Sequence, residues 1–332
     1  MTKNSILVVG SSNTDMIIKM ERIPKPGETI IGGEFASAAG GKGANQAVGA
    51  ARAGGAVTLI ARVGQDMFGD KAIAGFIADG INVDHVVRDR TSPSGVALIF
   101  VGQNGENSIA VASGANARLT PADVRKAKSA FREANVVLLQ LETPLDTVQV
   151  AAELAVAAGG RVILNPAPAR PLPDKLLRRL YLLTPNESEA ELLTGVAVDN
   201  EDGATKAANA LLARGAQNVI ITMGARGALV VGKNLRQLIP AFKVKAVDTT
   251  AAGDVFNGTL AFGLAEGRSL LEAARFASAA AAISVTRMGA QTSAPTRREI
   301  EQLLAAGNGS VGVIWGKGRP GSRRATEPLQ PA

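Results

Sequence analysis

The sequence predicts an α/β fold, a three-layer α/β/α sandwich in which helices cover both faces of a mainly parallel central sheet. Two observations predict it. Short β-branched or leucine-rich runs recur along the chain, each followed by Gly, Asn, Pro or an acidic residue, and alanine-rich stretches of helical length separate them. The chain has 332 residues, 46% of them hydrophobic and 20% charged, which is enough for one large α/β domain or two ordinary ones.

The elements follow one another in strand–helix order. The first strand is predicted at residues 6–10, because a short apolar run there ends in Gly-Ser-Ser-Asn. Further strands of the same kind are predicted at 58–63, 136–141, 162–164, 180–183 and 219–222. Helices are predicted at 44–53, 70–78, 122–131, 145–157, 187–193 and 204–213, then as two long apolar-faced helices within 252–285, and last at 296–304.

Two segments interrupt this alternation. Residues 16–35 and 94–112 have the pattern of hairpin-like strand pairs around Pro-Lys-Pro-Gly and Gly-Gln-Asn-Gly turns. We expect them to pair into a small sheet at the rim of the main one, where it acts as a lid that excludes water from a site beneath it. The recognisable domain then spans residues 1–307, and the Gly-, Pro- and Arg-rich residues 308–332 are expected to form a flexible tail.

The composition limits the chemistry. Cysteine is absent and His85 is the single histidine, which excludes disulfides, thiol nucleophiles, Cys/His zinc sites and any mechanism with two imidazoles. Catalysis must therefore use carboxylates, lysine, hydroxyls and backbone amides. No apolar run has the length of a membrane span, and the amino-terminal apolar stretch is too short for a signal peptide, so a cytoplasmic protein is expected.

The charge does not require a nucleic-acid partner. The net charge is +7, and residues 308–332 carry +3 of it, since they hold four basic residues against one acidic residue. Aromatic residues make up 3% of the chain and offer almost no stacking surface for single-stranded nucleic acid. The mildly basic remainder suits an anionic small ligand, and no nucleic-acid binding is expected.

The segment 247–258, VDTTAAGDVFNG, carries the strongest chemical signal. Ala251, Ala252 and Gly253 are small enough for consecutive amides to converge at a helix start, where unpaired N–H groups and the helix dipole stabilise an anion. Asp254 follows in the first helical turn. Its role is either to stabilise the positive end of the helix or, as we favour, to act as general base beside an anion hole for a transferring phosphoryl group.

Two further segments each have a structural and a functional interpretation. Glycines in 40–45, GGKGAN, permit close backbone approach around Lys42 at a helix start, although a plain turn needs them as well. In 184–189, TPNESE, the spacing fits a helix cap in which Asn186 is the N-cap and Glu189 reaches back. Alternatively, Glu189 helps to hold a hydrated Mg²⁺ that a nucleotide carries.

Polar residues also follow the carboxyl ends of several predicted strands. In open parallel sheets this rim is where ligands bind, and hydrogen-bonding groups gathered there suit a polyhydroxylated substrate. The residues are Asn13, Asp15, Glu142, Asn165, Asn186 and the turn 222–227, TMGARG.

These motifs resemble those of the ribokinase (PfkB) family of carbohydrate kinases, and the similarity extends from Ile6 to about Leu304. The resemblance implies a ribokinase-like fold and ATP-dependent phosphorylation of D-ribose at O5. The motifs that carry it are GSSNTD at 10–15, AGGKGANQAVGAARAG at 39–54, RVGQDMFGD at 62–70, NPAPA at 165–169, TPNESE at 184–189, TMGARG at 222–227 and DTTAAGDVFNG at 248–258.

The resemblance also implies roles for individual residues. Asp254 would take the proton of the 5-hydroxyl while the amides of 251–253 stabilise the γ-phosphate of Mg-ATP, and Glu189 would organise the waters of Mg²⁺. The ribose would be held by Asn13, Asp15, Gly41, Lys42, Gly43, Asn45 and Glu142. The nucleotide would contact Asn186, Thr222, Met223, Gly224, Ala225, Arg226, Gly227, Gly253 and Ser278, the last at a position where relatives often carry His or Asn near the adenine.

A monovalent cation, usually K⁺, and a homodimer are implied in the same way. Several cation ligands in the family are main-chain oxygens, so the side chains at these positions say little. The lid sheet is expected to double as the dimer interface. The matching cation positions are Asp248, Thr250, Ser284, Arg287, Gly289 and Ser293.

Other functions stay open at this point. A related kinase would use 2-deoxyribose, another pentose, fructose or a nucleoside, because a few lid side chains decide which hydroxyls are recognised. A non-catalytic sugar or nucleotide sensor on the same fold is a different class of function. The presence of Asp254 beside small residues argues against the sensor.

Overall fold

The computed structural model describes residues 4–307 and contains two sheets. Its strands, in chain order, are β1 Ser5–Val9, β2 Asn13–Lys19, β3 Glu34–Gly40, β4 Ala56–Gly64, β5 Asn82–Asp89, β6 Gly95–Val101, β7 Asn107–Ala112, β8 Val136–Leu139, β9 Arg161–Leu164, β10 Leu182–Leu183, β11 Asn218–Thr222, β12 Ala228–Gly232 and β13 Leu235–Ile239. The larger sheet has the order β13-β12-β11-β10-β9-β8-β1-β4-β5. It is parallel from β11 to β5, and β12 and β13 are antiparallel at one edge.

The helices occupy both faces of this sheet. They are α1 Lys42–Arg52, α2 Met67–Ala78, α3 Pro121–Lys126, α4 Lys128–Glu133, α5 Leu145–Ala157, α6 Asp174–Leu177, α7 Glu187–Thr194, α8 Glu201–Ala213, α9 Ala252–Ala265, α10 Leu270–Ser284 and α11 Arg297–Ala306. Along β1, Ile6 and Val8 enter one hydrophobic core while Leu7 and Val9 enter the other, as the period of two in a strand requires. Helices α1, α9, α10 and α11 close the first core, and α3, α4, α5 and α8 close the second. The predicted three-layer sandwich is confirmed.

A four-stranded sheet, which we call the lid sheet, has the order β3-β2-β6-β7. Strand β2 pairs antiparallel with β3 and parallel with β6, and β6 pairs antiparallel with β7. The two predicted segments therefore do form one small sheet. Its strands differ from the prediction in extent, because β2 already begins at Asn13, β3 ends at Gly40, and residues 20–33 join them in place of a tight turn.

Several other elements also differ from the sequence expectation. The predicted helix at 122–131 is two helices that meet at Ala127. The predicted strand at 180–183 is limited to Leu182–Leu183. Strands β5 (NVDHVVRD) and β13 (LRQLI) are absent from the predicted elements, because both lie at sheet edges where charged and polar residues interrupt the apolar run.

Two parts of the chain lie outside the described residues. They are residues 1–3 and residues 308–332, so the predicted tail belongs to them. Within residues 4–307, none of the helices combines the length and the apolar character needed to cross a membrane.

Candidate active site

The end of β1 and the start of α1 pack backbone against backbone. Gly41 has a φ of 89°, and a Cβ there would lie 2.6 Å from the nitrogen of Asn13. A Cβ at Gly43 would lie 2.5 Å from the nitrogen of Ser11. The N–H of Ala44 donates a hydrogen bond of 2.8 Å to the Ser11 carbonyl. Glycine is therefore required at both positions, and the close backbone approach expected from GGKGAN is present.

Asp254 is a buried carboxylate in the first turn of α9, with 6% of its surface exposed. Its two oxygens accept hydrogen bonds from consecutive residues of α1. Nδ2 of Asn45 donates to Oδ2 at 3.0 Å, and Nε2 of Gln46 donates to Oδ1 at 2.9 Å. The fold thus holds one carboxylate between two amides that lie 209 and 208 positions away in the sequence.

A close crossing of α1 and α9 makes these contacts possible. A Cβ at Gly258 would collide with the main-chain oxygen of Gln46. A Cβ at Gly49 would lie 3.4 Å from the Cα of Val255. Glycines on both helices let the two backbones approach, and this approach brings the amides within reach of the carboxylate.

Lys42, the first residue of α1, lies among acidic groups. Burial lowers the pKa of its ammonium group, but four nearby carboxylates outweigh that effect and raise the pKa above its usual value. In decreasing order of influence these are Asp254, Glu142, Glu189 and Asp15. The lysine is therefore cationic and offsets part of the negative charge of the site.

Three of these carboxyl groups, Asp15, Asp254 and Glu189, have raised pKa values. Burial, followed by the charges of Glu142 and Asp254, raises the pKa of Asp15 to about 6, although Lys42 lowers it. Burial likewise raises the pKa of Asp254, which Lys42 and the two side-chain amides oppose. The Asp15 carboxylate lies against Gly40, where any Cβ would collide with it. Perturbed carboxyl groups gathered in one place mark a functional site.

Glu142 and Asn13 line a cavity of about 330 Å³ beside the lid sheet. Oε2 of Glu142 accepts hydrogen bonds from the Ser11 hydroxyl at 2.5 Å and from the Lys42 N–H at 2.9 Å. Oδ1 of Asn13 accepts from Nδ2 of Asn116 at 2.8 Å. Asn116 is a buried residue that sequence reasoning missed, and its Gly-Ala-Asn context directly after a lid segment is the signal that was available.

The first turn of α9 presents unpaired amides. Its N-cap, Ala251, has a left-handed φ of 57°. Helix geometry leaves the N–H groups of Gly253 and Asp254 without intrahelical acceptors. The structure differs from the expectation at Ala252, whose N–H donates to the Thr249 carbonyl at 3.2 Å because the chain turns tightly into the helix. The amides of this turn that lack an intrahelical acceptor are therefore those of Gly253 and Asp254.

The segments expected to contact a nucleotide are neighbours in the fold. Asn186 forms a bridge with Thr222, whose N–H donates to the Pro185 carbonyl at 3.0 Å. Residues 224–226 form a short 3-10 turn after β11, and Gly227 follows with a φ of 99°. Ser278 lies half-buried on α10, which packs against β12 and β13.

Two side chains of this turn have structural roles. Met223 is 3% exposed and belongs to the second hydrophobic core. The Arg226 guanidinium donates to the Val198 and Asp199 carbonyls and to the Glu187 carboxylate. At these two positions the expectation of a nucleotide contact is therefore limited to the main chain.

Asn186 and Glu189 form the capping box that the sequence offered as the structural alternative. Oδ1 of Asn186 accepts from the Glu189 N–H at 2.8 Å, and Oε2 of Glu189 accepts from the Asn186 N–H at 2.9 Å. Burial raises the pKa of Glu189, while the hydrogen bond from Asn186 and the charge of Lys42 oppose it. The cap uses Oε2 alone. Among residues 4–307, no group of three or more His, Cys, Asp or Glu side chains is arranged to hold a metal ion.

The positions expected to bind a monovalent cation lie in two segments, residues 248–250 and residues 284–293, that Asp248 joins. Its Oδ1 accepts from the Thr250 N–H at 2.9 Å, and its Oδ2 accepts from the Gly289 N–H at 2.8 Å. Burial raises the pKa of Asp248, but these hydrogen bonds outweigh burial and lower the pKa below its usual value. The carboxylate is therefore ionised at neutral pH.

The remaining side chains of this set are engaged elsewhere. The Ser284 hydroxyl donates to the Ala281 carbonyl at 2.8 Å, and the Ser293 hydroxyl donates to the Ala290 carbonyl at 2.7 Å. Arg287 forms an ion pair of 2.5 Å with Glu299. A hydroxyl that donates its proton keeps its lone pairs, so Ser284 and Ser293 can offer a cation a hydroxyl or a main-chain oxygen, whereas Arg287 can offer only its main-chain oxygen.

A second layer of buried amides lies beneath Asp254 and escaped the sequence interpretation. Asn257 donates from Nδ2 to the Gly253 carbonyl at 2.8 Å and accepts from the Thr184 hydroxyl at 2.6 Å. Gln46 and Gln140 complete this layer. The signal that was available is an amide directly after Asn45 in an alanine-rich helix.

The chain is similar to characterised carbohydrate kinases along most of its length. Residues 3–297 match the family described as pfkB family carbohydrate kinase. The ribokinase of Haemophilus influenzae is 46% identical over 302 residues, which are 91% of this chain and 99% of that protein. The deoxyribokinase of Salmonella typhi is 40% identical over 301 residues, 90% of this chain and 98% of that protein. The structure of Arabidopsis thaliana ribokinase complexed with ribose and ATP has a TM-score of 0.83 at 33% identity, covering 92% and 99% of the two chains. The chain therefore belongs to the pfkB family of carbohydrate kinases.

Proposed function

We propose that the protein transfers the γ-phosphate of ATP to O5 of D-ribose and forms D-ribose 5-phosphate. The observation that carries the proposal is the environment of Asp254, a buried carboxylate with a raised pKa at the start of α9. A carboxylate of this kind is suited to accept the proton of an attacking hydroxyl. The unpaired N–H groups of the same helical turn are suited to stabilise the charge of the transferring phosphoryl group. The ribokinases among the relatives favour ribose as the sugar.

The sugar is proposed to lie between the lid sheet and the start of α1. Oδ1 of Asn45 is buried without a hydrogen-bond partner among residues 4–307, so it is available to a substrate hydroxyl. The carboxylates of Asp15 and Glu142 add further acceptors, and Lys42 and Asn13 supply donors. The close main-chain approach at Gly41 and Gly43 shapes the wall of this site, and the Gly43 N–H already donates to the Ser11 hydroxyl oxygen at 3.2 Å.

The nucleotide is proposed to lie along the rim of the larger sheet, at the carboxyl ends of its strands. It would extend from Asn186 past residues 222–227 to Ser278 on α10. When bound, Mg²⁺ supplies positive charge that neutralises the phosphates. The residues fit such an ion, because the helix cap leaves Oε1 of Glu189 unused, and one carboxylate suffices for a Mg²⁺ that keeps most of its waters. Lys42 adds a fixed positive charge beside the transferring group.

A monovalent cation, K⁺ in the first instance, is proposed to bind between residues 248–250 and residues 284–293. The ionised Asp248 and the main-chain oxygens of these loops are hard ligands of the type that such a cation prefers. Residues 249–251 lead directly into α9. A cation there would hold the turn that places the amides of Gly253 and Asp254.

The choice of sugar is the finer part of the proposal. The second candidate is 2-deoxyribose, which the deoxyribokinase relative at 40% identity favours. The test is a panel of D-ribose, 2-deoxyribose, other pentoses, fructose and nucleosides, assayed by ADP release with and without K⁺. We expect D-ribose to have the highest kcat/KM. Equal or better turnover of another sugar would overturn the choice of ribose and leave the kinase chemistry in place.

The role of Asp254 is tested by Asp254→Asn. The amide keeps the shape of the side chain but accepts no proton, so kcat should fall by about 100-fold or more. Sugar binding, measured by calorimetry, should persist because the surrounding hydroxyl contacts are unchanged. Turnover close to that of the wild type would rule out Asp254 as the base, and a wild-type protein that binds sugar without turnover would instead be a sensor.

A further inference from the structure

Gln46 lies beneath Asp254 and is completely buried. Its Nε2 has two N–H groups, and both are used. One donates to Oδ1 of Asp254 at 2.9 Å, and the other donates to Oδ1 of Asn165 at 3.0 Å. Its Oε1 accepts from Nε2 of Gln140 at 2.6 Å. Every hydrogen-bonding group of the Gln46 amide except one lone pair therefore has a partner.

The neighbours of Gln46 fix the direction of its amide. Asn165 donates from its own Nδ2 to the Thr184 carbonyl at 3.1 Å, so its Oδ1 is left to accept. If the Gln46 amide were reversed, its oxygen would face two acceptors, and its nitrogen would face the donor of Gln140. A reversal would thus break three hydrogen bonds at once, and an unpaired buried polar group is unfavourable.

Gln140 donates a hydrogen bond to Gln46, but its own side-chain oxygen has no partner among the described residues. Its side chain is 1% exposed, and its Oε1 is buried without a hydrogen-bond partner among the described residues. A buried acceptor without a partner destabilises the fold, so an apolar residue of similar size would be more stable here if only packing mattered. Among residues 4–307, the one hydrogen bond that the Gln140 side chain makes is the donation to Gln46. Its contribution is therefore the donor that it presents to Oε1 of Gln46.

We propose that Gln46 is a positioning residue for Asp254 and that Gln140 locks the Gln46 amide with its N–H groups towards the carboxylate. This inference rests on the proposed role of Asp254 as general base. An N–H donor stabilises the carboxylate ion and cannot accept a proton from the protonated acid. Asn45 acts in the same direction on Oδ2. The two amides thus hold the ionised form and leave the remaining lone pairs of Asp254 for the substrate hydroxyl.

The surrounding charges explain why hydrogen bonds from neutral amides are needed to stabilise the Asp254 carboxylate. Asp254 experiences Lys42, which favours its ionised form, and Glu142, which disfavours it. Asp15 and Glu189 are also coupled electrostatically to Asp254 and add negative charge. Lys42 thus favours the ionised form of Asp254, while three other carboxyl groups and burial all disfavour it. Hydrogen bonds from neutral amides stabilise the Asp254 anion without adding a charge that would attract the substrate phosphates or repel Lys42.

The main test is Gln46→Met, which keeps the length of the side chain and removes its donors. We expect the pKa of Asp254 to rise by about one unit, as the loss of a hydrogen bond to a carboxylate implies. The acid limb of kcat/KM for the sugar should move to higher pH by the same amount, kcat on the plateau should fall, and the KM for ATP should stay unchanged. Titration of ¹³C-carboxyl-labelled aspartate by NMR, with the Asp254 signal assigned by its loss in Asp254→Asn, measures the same pKa without turnover.

Two further variants keep the proposal falsifiable if Gln46→Met folds poorly. Gln46→Glu places a carboxyl group next to Asp254 in a similar shape, and the pair should then share a proton and move the acid limb further upwards. Gln140→Met should move it in the same direction by a smaller amount, because reversal of the Gln46 amide then breaks two hydrogen bonds instead of three. The matched control is Thr259→Val on the same helix, since Oγ1 of Thr259 is buried without a partner among the described residues and the replacement is close to isosteric. It should leave the Asp254 pKa in place.

An Asp254 pKa and an acid limb that are unchanged in all three glutamine variants would overturn the proposal. So would an equal shift in Thr259→Val, because the effect would then be general to the core. These outcomes are separate from a failure of the proposed function. If Asp254→Asn retains wild-type turnover, Asp254 is not the base, whereas the NMR titration still reports whether Gln46 controls its ionisation.

Discussion

The main-chain N–H of Lys42 donates a hydrogen bond of 2.9 Å to Oε2 of Glu142, and so ties the start of α1 to the loop after β8 across 100 positions of sequence. The same oxygen accepts from the Ser11 hydroxyl at 2.5 Å. Glu142 thereby joins the segments that follow β1, β3 and β8, the first and last of which are neighbours in the larger sheet. Lys42, whose ammonium group lies among the carboxylates of the site, is held at its main chain by one of them.

We expect Glu142→Ala to raise the KM for the sugar by about 10- to 100-fold. The change removes a carboxylate that accepts hydrogen bonds from the sugar, and it removes the acceptor that holds the Lys42 N–H at the start of α1. The KM for ATP should change little. Glu142→Gln is the matched control, since its amide oxygen can still accept from Ser11 and Lys42, and it should retain more of the sugar affinity. Steady-state kinetics with each substrate varied in turn measure both constants. Equal KM values for the sugar in wild type and Glu142→Ala would contradict the assigned position.

Asp15 predicts the pH dependence of sugar use. Its pKa of about 6 implies that kcat/KM for the sugar falls below pH 6, because the protonated acid has lost an acceptor for a hydroxyl. Asp15→Asn should lower kcat/KM and remove the part of the acid limb that Asp15 causes. A rate profile from pH 4.5 to 9 with saturating ATP measures the limb. An unchanged limb in the variant would assign it to another group, Asp254 first.

The same raised pKa has a consequence for stability. The folded protein binds the Asp15 proton more tightly than the unfolded chain does, so the contribution of Asp15 is most favourable below about pH 4 and is lost as the pH rises past 6. Asp15→Asn should therefore have a Tm that is higher than that of the wild type at pH 7.5 by about 2 °C or more, with the difference shrinking towards pH 4. Thermal unfolding at a series of pH values tests this sign.

The site residues that could be predicted from the sequence lie in short motifs, whereas those that were missed depend on contacts between residues far apart in the sequence. Asp254 and the glycines beside Lys42 stand in short segments whose residue types alone indicate a helix start and close backbone approach. Gln46 and Gln140 have no such pattern, because Gln46 reaches Asp254 only where α1 crosses α9 at Gly258, and Gln140 acts only through its contact with Gln46. A buried amide in a helix is identified by its partner, and the partner lies far away in the sequence.

A similar limit applied to the fold. The alternation of apolar strands and alanine-rich helices predicted the central strands, since both of their faces are buried. Edge strands β5 and β13 keep a solvated side, so charged residues interrupt their apolar runs. The family resemblance implied a nucleotide contact for Arg226, yet the fold pairs its guanidinium with Glu187 and two carbonyls.

Asp248→Ala tests the proposed cation site. The change removes the carboxylate that accepts from the N–H groups of Thr250 and Gly289 and so joins the two segments. In the wild type we expect K⁺ to raise kcat/KM by about 5-fold or more, the coupling common between linked sites. In Asp248→Ala this stimulation should drop to about 1-fold. The rise of the Tm with added K⁺ should be lost in parallel. Asp84→Ala, at an exposed carboxylate near the start of edge strand β5, should keep both responses, and a K⁺ response retained by Asp248→Ala would place the cation elsewhere.

We propose that the outer face of the lid sheet forms a homodimer interface. The face opposite Asp15 carries Met16, Ile18 and Phe100 in register with Phe35 and Leu98, of which the last two are 65% and 45% exposed. An apolar sheet face of this kind favours burial against a second copy. Leu98→Glu should convert a dimer to a monomer, as measured by light scattering after size exclusion. Leu192→Glu, at a leucine on α7 that is 53% exposed, should leave the mass unchanged. A monomeric wild type would refute the interface.

Gly258→Ala tests whether the helix crossing positions the candidate base. The added methyl group would meet the main-chain oxygen of Gln46, so α1 must move away from α9 and withdraw the amides from Asp254. We expect a loss of about 1–3 kcal/mol of unfolding free energy from overpacking. The kcat should fall by about 10-fold or more, since a displacement of 1 Å can reduce a rate by about 100-fold. The matched control is Gly75→Ala on α2, where a Cβ meets nothing within 4 Å and the exposed helix should gain about 0.5–1 kcal/mol with unchanged kcat. Gly258→Ala would contradict this prediction if it lost stability but kept the wild-type kcat. The helix crossing would then support the fold without controlling the position of the Asp254 carboxylate.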